Sequence, residues 1–315
     1  MYWKPYLRII RPVNLLIMAI MLILVRYAIF FPIFKLNALE GLMPGWQFLL
    51  LVMATLFIGA GGYVINDVLD IELDQVNKPG QQIIGRKISE ATGNKLHFNL
   101  TAAGIIFGLV FSYLSGNIFL AILFVIIPTA LFYYSYKYKY MPAIGNLVVA
   151  LLAAMVVMIY WLFEFYNLRS HADEFIDASL SFPQINRFVL AFAFFAFITT
   201  LVREIIKDIQ DKEGDARFGC RTLPVVMKPG TVRLVILALI LVTIASVAWF
   251  QYILFITGYI WMAGLLTVTQ ILMIYSIPVI VKAAEKKDWG RLSMLFKVIM
   301  MSGMLTLMAT WLKTS

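Results

Sequence analysis

Two short segments hold eight of the 17 carboxylates in this 315-residue chain. The first reads Asn66-Asp67-Val68-Leu69-Asp70-Ile71-Glu72-Leu73-Asp74, the second Lys207-Asp208-Ile209-Gln210-Asp211-Lys212-Glu213-Gly214-Asp215. Aspartates occupy relative positions 0, 3 and 7 in both, and the copies lie 208 − 67 = 141 residues apart. At about 100° per residue such positions share one face of a helix, so three like charges crowd together and call for a cation. Oxygen-only donors suit a hard ion such as Mg2+, which bridges one or two carboxylates to phosphate groups. Asp67, Asp70, Asp74, Asp208, Asp211 and Asp215 are therefore candidate metal ligands, and two facing ladders would clamp a diphosphate between them. Solvated helix ends rich in acid are the plainer alternative for one ladder, but matched spacing and flanks in two copies favour the paired device. His97 and His171 are isolated, which argues against zinc, and no phosphate-cradling glycine-rich loop supports nucleotide hydrolysis.

The elements that must carry these ladders are written in the composition. The chain is 62% hydrophobic and 14% charged, whereas a soluble domain is about 25% charged. Cys220, the single cysteine, excludes a disulfide scaffold. About 20 mostly apolar residues cross a bilayer. By that rule nine spans are expected, over 14–34, 47–66, 97–115, 117–134, 143–166, 187–206, 232–250, 253–281 and 291–312. Pro128 and Pro278 are expected to kink theirs, and the first is too long for a removable signal peptide. Alternate connections collect the basic residues, from Arg8 and Arg11 through Lys78, Arg86, Lys87 and Lys95 to Lys286, Lys287 and Arg291. The intervening connections hold only Lys35, Arg169, Arg187 and Lys313. Basic loops stay inside. The N-terminus and both ladders are thus expected on the cytosolic side, with the cytoplasmic (inner) membrane as location and membrane lipids as surroundings. The net charge of +9 orients the chain and gives no support to nucleic-acid binding, because the charges are scattered over short loops. A cation-coupled secondary transporter is the other class that repeated carboxylate sites evoke, but such sites lie near the bilayer midplane, and these lie at span ends. Arg26, inside the first span, has no role that the sequence supplies.

Taken together, Asn66-Asp67-x-x-Asp70-x-x-x-Asp74 and Asp208-x-x-Asp211-x-x-x-Asp215 resemble the two aspartate-rich motifs of the UbiA superfamily of intramembrane prenyltransferases. The flanks resemble its digeranylgeranylglyceryl phosphate synthase branch: Arg11-Pro12-Val13-Asn14, then Tyr134-Ser135 with Lys137, Lys139, Pro142, Gly145 and Asn146, then Arg203-Glu204 running into the second motif and on to Gly219, Thr222, Leu223 and Pro224. After Asn77-Lys78-Pro79 the chain departs from the family's Arg-Pro-containing stretch, reading Gln81-Gln82-Ile83-Ile84-Gly85-Arg86, with Arg86 or Lys87 offsetting the lost cation. The resemblance covers the whole chain. It implies an all-α, polytopic nine-helix bundle with cytosolic caps over the active site, in one domain over 1–315. It also implies Mg2+-dependent transfer of a prenyl group, geranylgeranyl in this branch, from prenyl diphosphate to geranylgeranylglyceryl phosphate through an ether bond. An aromatic acceptor of quinone biosynthesis, dihydroxynaphthoate or hydroxybenzoate, is the alternative.

On that basis Asp67, Asp70, Asp208 and Asp211 would act through metal on the departing diphosphate, with Asp74 and Asp215 completing coordination. Tyr134 would face the carbocation-like C1 with its ring. Lys78, Lys137, Lys139 and Lys207 would pair with phosphate oxygens, and Asn66 and Arg86 would join them in binding substrate. Asn14 either contacts the acceptor or joins helices, and Arg203 either binds substrate or pairs with Glu204.

Overall fold

The computed structural model describes residues 3–77 and 79–312, so Lys78 lies outside the described residues. Helices long and apolar enough to span a membrane number nine among them. They are span one (Pro12–Leu36), two (Gly45–Leu69), three (Glu90–Leu114), four (Ile118–Tyr136), five (Ile144–Arg169), six (Phe182–Arg217), seven (Pro229–Ile256), eight (Ile260–Lys282) and nine (Lys286–Leu312). Each overlaps the apolar run that places it, most with longer ends; the exception is span eight, which starts at Ile260 rather than 253 because span seven runs on to Ile256. The fold class expected from the sequence, an all-α polytopic bundle, is the one observed.

Span six differs most from expectation. It continues 11 residues past the apolar run, to Arg217, for 36 residues in all. At 1.5 Å per residue that is about 54 Å, against a hydrocarbon core of about 30 Å, so its last turns stand clear of lipid. Those turns carry Asp208, Asp211 and Asp215 on one unbroken helix. The first motif is built otherwise. Span two stops with Asp70 as its C-cap, and a short helix, Ile71–Asn77, follows. Asp74 therefore rides a separate helix, although its N–H still donates to Asp70 O at 2.8 Å.

Bonds at one end of the bundle tie the alternate basic connections together. Arg11, before span one, reaches Asp67 in the last turn of span two; Lys139, after span four, reaches Asp70; Lys286, opening span nine, donates to Asn77 O at 2.9 Å. Asn77 Oδ1 also accepts the Gly214 N–H at 3.1 Å, and a Cβ at Gly214 would stand 2.1 Å from that oxygen. Only glycine lets the two motif segments approach so closely. A small apolar cluster of Ile9, Val64, Ile65, Val68, Ile84 and Ile88 seats the 79–89 loop beside the end of span two.

Arg26 acquires a place at the other end. Span one turns π-helical over Val25–Phe30, and Arg26, 5% exposed, donates to Tyr160 Oη at 3.1 Å and Met43 O at 2.6 Å. Glu164, fully buried, accepts the Met43 N–H at 2.9 Å and Asn167 Nδ2 at 3.0 Å. The Phe48 and Tyr160 rings flank the guanidinium. This polar knot joins spans one and five and the 37–44 connection within an aromatic core, where an unpaired charge is expensive.

Candidate active site

The two motifs meet at the polar end, and side chains from other spans already engage their carboxylates. Arg11 Nη2 lies 2.6 Å from Asp67 Oδ1, with its guanidinium over the Tyr63 ring at 5.0 Å. Lys139 Nζ lies 2.5 Å from Asp70 Oδ1, while Asn66 Nδ2 donates to Asp70 Oδ2 at 2.9 Å. Asn146 Nδ2 donates to Asp208 Oδ2 at 2.7 Å, and the Thr222 hydroxyl to Asp215 Oδ2 at 3.0 Å. Asp74 and Asp211 are half-buried further along their helices. Two of these partners are delivered by strained backbone. Arg11 (φ 53°) and Ala143 (φ 63°) are non-glycine residues in the left-handed region, immediately before spans one and five. Such conformations cost roughly 1–3 kcal/mol and gather at functional sites.

Electrostatics account for the pairing. Burial works against the Arg11 charge, but Asp67, with Tyr63 and Glu204 behind it, outweighs burial and holds the guanidinium above its ordinary pKa. Burial lowers the Lys139 ammonium below the usual lysine range, and Asp70 resists that shift. Among the described residues, no three His, Cys, Asp or Glu side chains form a ready-made metal cage. The carboxylates are engaged by protein cations and amides instead. The donor set remains all oxygen, of the kind that Mg2+ takes up with phosphate.

A cavity of about 330 Å³ runs into the bundle from this end. Its polar wall includes Asn14, Asn66, Tyr134, Arg203, Glu204 and Lys207, and its apolar wall Met21, Ile58, Phe124, Val157, Phe192 and Met304. The ladder aspartates do not line it; they follow Asn66 and Lys207 in the chain and stand beyond its polar end. Tyr134 lines the cavity and is in electrostatic range of both Asp70 and Asp208. Arg203 pairs with Glu204 at 3.3 Å and also lines the cavity, so the two roles weighed for it are compatible. Asn14 lines the cavity within hydrogen-bond reach of Tyr63. The structure does not bring Arg86 or Lys137 to the cavity: both are exposed. Sequence reasoning named the Arg203–Glu204 pair but missed that Glu204 also holds Lys207, that Asn146 partners Asp208, and that Lys297 lines the cavity from span nine. A single lysine within an apolar run was the available signal for the last.

An apolar hole sunk into a membrane bundle, headed by carboxylates and cations from both halves of the chain, defines an intramembrane enzyme for a substrate with a long apolar tail and an anionic head. The model of the UbiA prenyltransferase family matches residues 29–300, and the chain belongs to that family. It is a prenyltransferase, which decides against the transporter class. Among its relatives is a digeranylgeranylglyceryl phosphate synthase from Methanosphaera stadtmanae, 29% identical over 95% of this chain and 96% of that one. A solved structure concerning digeranylgeranylglyceryl phosphate synthase in membranes superposes with a TM-score of 0.66 at 26% identity, covering 98% of this chain and 99% of the other. A UbiA homolog from Archaeoglobus fulgidus, bound to DMAPP and Mg2+, shares the fold with a TM-score of 0.51 at 16% identity, covering 96% of this chain and 99% of that one.

Proposed function

We propose that the chain transfers a geranylgeranyl group from its diphosphate to geranylgeranylglyceryl phosphate, forming an ether lipid, with Mg2+ as cofactor. The observation that carries this is the meeting of two aspartate motifs, 141 residues apart, beyond the polar end of a cavity with an apolar floor. The names of the relatives supply the acceptor, and the Mg2+ and DMAPP bound by the Archaeoglobus homolog support the cofactor and the class of donor. Asp67, Asp70, Asp208 and Asp211 would hold the metal, with Asp74 and Asp215 at the outer ends. A bound Mg2+ supplies neutralisation of the diphosphate leaving group.

The protein's own groups do the rest. Arg11 and Lys139, now on Asp67 and Asp70, are placed to turn to phosphate oxygens once a cation shares those carboxylates. The apolar wall sheathes the prenyl tail and excludes water, which would otherwise capture the electron-poor C1 as it parts from the diphosphate oxygen. Tyr134 offers its ring to that centre. As the C1–O bond to the diphosphate breaks, the acceptor hydroxyl oxygen bonds to C1 and its proton passes to the released diphosphate, leaving an ether. The basic connections gathered at the site's end support a cytosolic active site in the inner membrane, and the single span of the family match supports one domain.

The test is an acceptor panel. Purified protein with labelled geranylgeranyl diphosphate and Mg2+ receives geranylgeranylglyceryl phosphate, dihydroxynaphthoate or hydroxybenzoate. Label is expected in an ether lipid; product confined to an aromatic acceptor would refute the assignment.

A further inference from the structure

Beside its aspartates, span six carries a cationic ladder. Thr200, Arg203 and Lys207 recur at intervals of three and four residues, which aligns them on one helix face, and all three line the cavity. Glu204 accepts from Lys207 Nζ at 2.8 Å and from Arg203 Nη1 at 3.3 Å, holding both cationic heads at the wall. Span nine adds Lys297, on the same face as Met300 and Met304, which line the cavity with it. Lys297 is in electrostatic range of Arg203, Lys207, Arg11 and Glu204, yet no hydrogen bond or ion pair engages its ammonium among the described residues. Two more polar atoms here, Arg203 Nε and Thr200 Oγ1, are buried with no hydrogen-bond partner. Buried donors are ordinarily satisfied, and an unpaired lysine within a membrane span is costly, so this cluster is suited to an anionic partner.

The charge says what. Arg11 is engaged by Asp67, so among the charged residues that line the cavity Arg203, Lys207 and Lys297 stand against Glu204 and leave two positive charges. A phosphate monoester carries about −1.5 to −2 at neutral pH and matches that excess; a carboxylate would leave one charge buried and uncompensated. The donor diphosphate is held elsewhere, at the aspartates, with its own cations. We infer that Arg203, Lys207 and Lys297 form a separate site for the phosphate monoester of the acceptor, and that Lys297 selects phosphate over carboxylate heads. This rests on the glyceryl phosphate acceptor proposed above.

The full chain in detergent, as wild type, Lys297→Met and Lys297→Arg, is assayed with geranylgeranyl diphosphate and Mg2+, varying each substrate in turn. Lys297→Met is expected to raise KM for geranylgeranylglyceryl phosphate at least about tenfold, the worth of one charge-assisted hydrogen bond, and to leave KM for the diphosphate within about twofold. Lys297→Arg is expected to restore the acceptor KM. Equal rises in both KM values, or none, would overturn the site while leaving the function intact. A wild type that prenylates only hydroxybenzoate would overturn the acceptor and the phosphate site together. Should Lys297→Met fail to fold, direct binding to the wild type decides: geranylgeranylglycerol lacking the phosphate must bind at least about tenfold more weakly than the phosphate ester, and equal affinity refutes the site.

Discussion

Asp70 shows how much one side chain is asked to do. It caps span two, accepts from Asn66, and holds Lys139 at 2.5 Å. Removing its charge while keeping its shape isolates the electrostatic role. Asp70→Asn and Asp211→Asn are each expected to cut prenyl transfer by about 100-fold or more, the scale of losing one charged contact to a developing leaving group, with an unchanged elution profile on size exclusion. Turnover near the wild-type rate in both would refute the metal-ligand assignment. Cys220 makes a contrasting case. It lies 5% exposed near Asp215, and burial pushes its thiol up to about 11. A raised thiol pKa keeps the unreactive protonated form. At pH 8 the thiolate fraction then falls about 100-fold below that of an ordinary thiol, so iodoacetamide labelling of the folded protein should be correspondingly slow and should quicken up to about pH 11.

Between elements, the close approach of span six to the Ile71–Asn77 helix depends on Gly214. An alanine there gains about 1 kcal/mol of helix propensity but drives its Cβ into the Asn77 side chain, at a typical cost of about 1–3 kcal/mol, so the clash prevails. Gly214→Ala is expected to lower both Tm and activity, and adding Asn77→Ala should recover Tm by removing the obstructing group; a Gly214→Ala protein as stable as wild type would discount the contact. At the opposite end, Arg26→Leu takes the donor from Tyr160 Oη and Met43 O and the nearby positive charge from buried Glu164. A loss of about 3–5 kcal/mol, read as a fall in Tm, is expected, with partial recovery in Arg26→Leu/Glu164→Leu. The π-helical turn at Val25–Phe30 sits where Arg26 turns to Tyr160 and Met43.

Across the whole molecule, the basic connections and the aspartate motifs share one end, and the polar knot around Arg26 lies at the other. The proposed cytosolic placement of that basic end predicts opposite accessibilities in sealed vesicles. In the Cys220→Ser background, a cysteine at Lys87 should react with an impermeant maleimide only from the cytosolic side, and one at Ser170 only from the far side; the reverse pattern would invert the orientation.

Apolar composition and the run lengths of hydrophobic residues were enough to specify nine spans and their alternation, because lipid imposes a length and a polarity on every segment that crosses it. The repeated spacing of Asp67-Asp70-Asp74 and Asp208-Asp211-Asp215 was enough to mark both motifs, because scarce acids in such a chain have few other reasons to recur. Neither pattern states which spans become neighbours. That Asp67 meets Arg11, that Asn146 meets Asp208, that Gly214 admits Asn77, and that Lys297 faces Arg203 and Lys207 across one cavity depends on packing between residues 56 to 137 positions apart. Arg26 is the plainest example: an unexplained charge along the chain becomes the centre of a buried network once spans one and five are side by side.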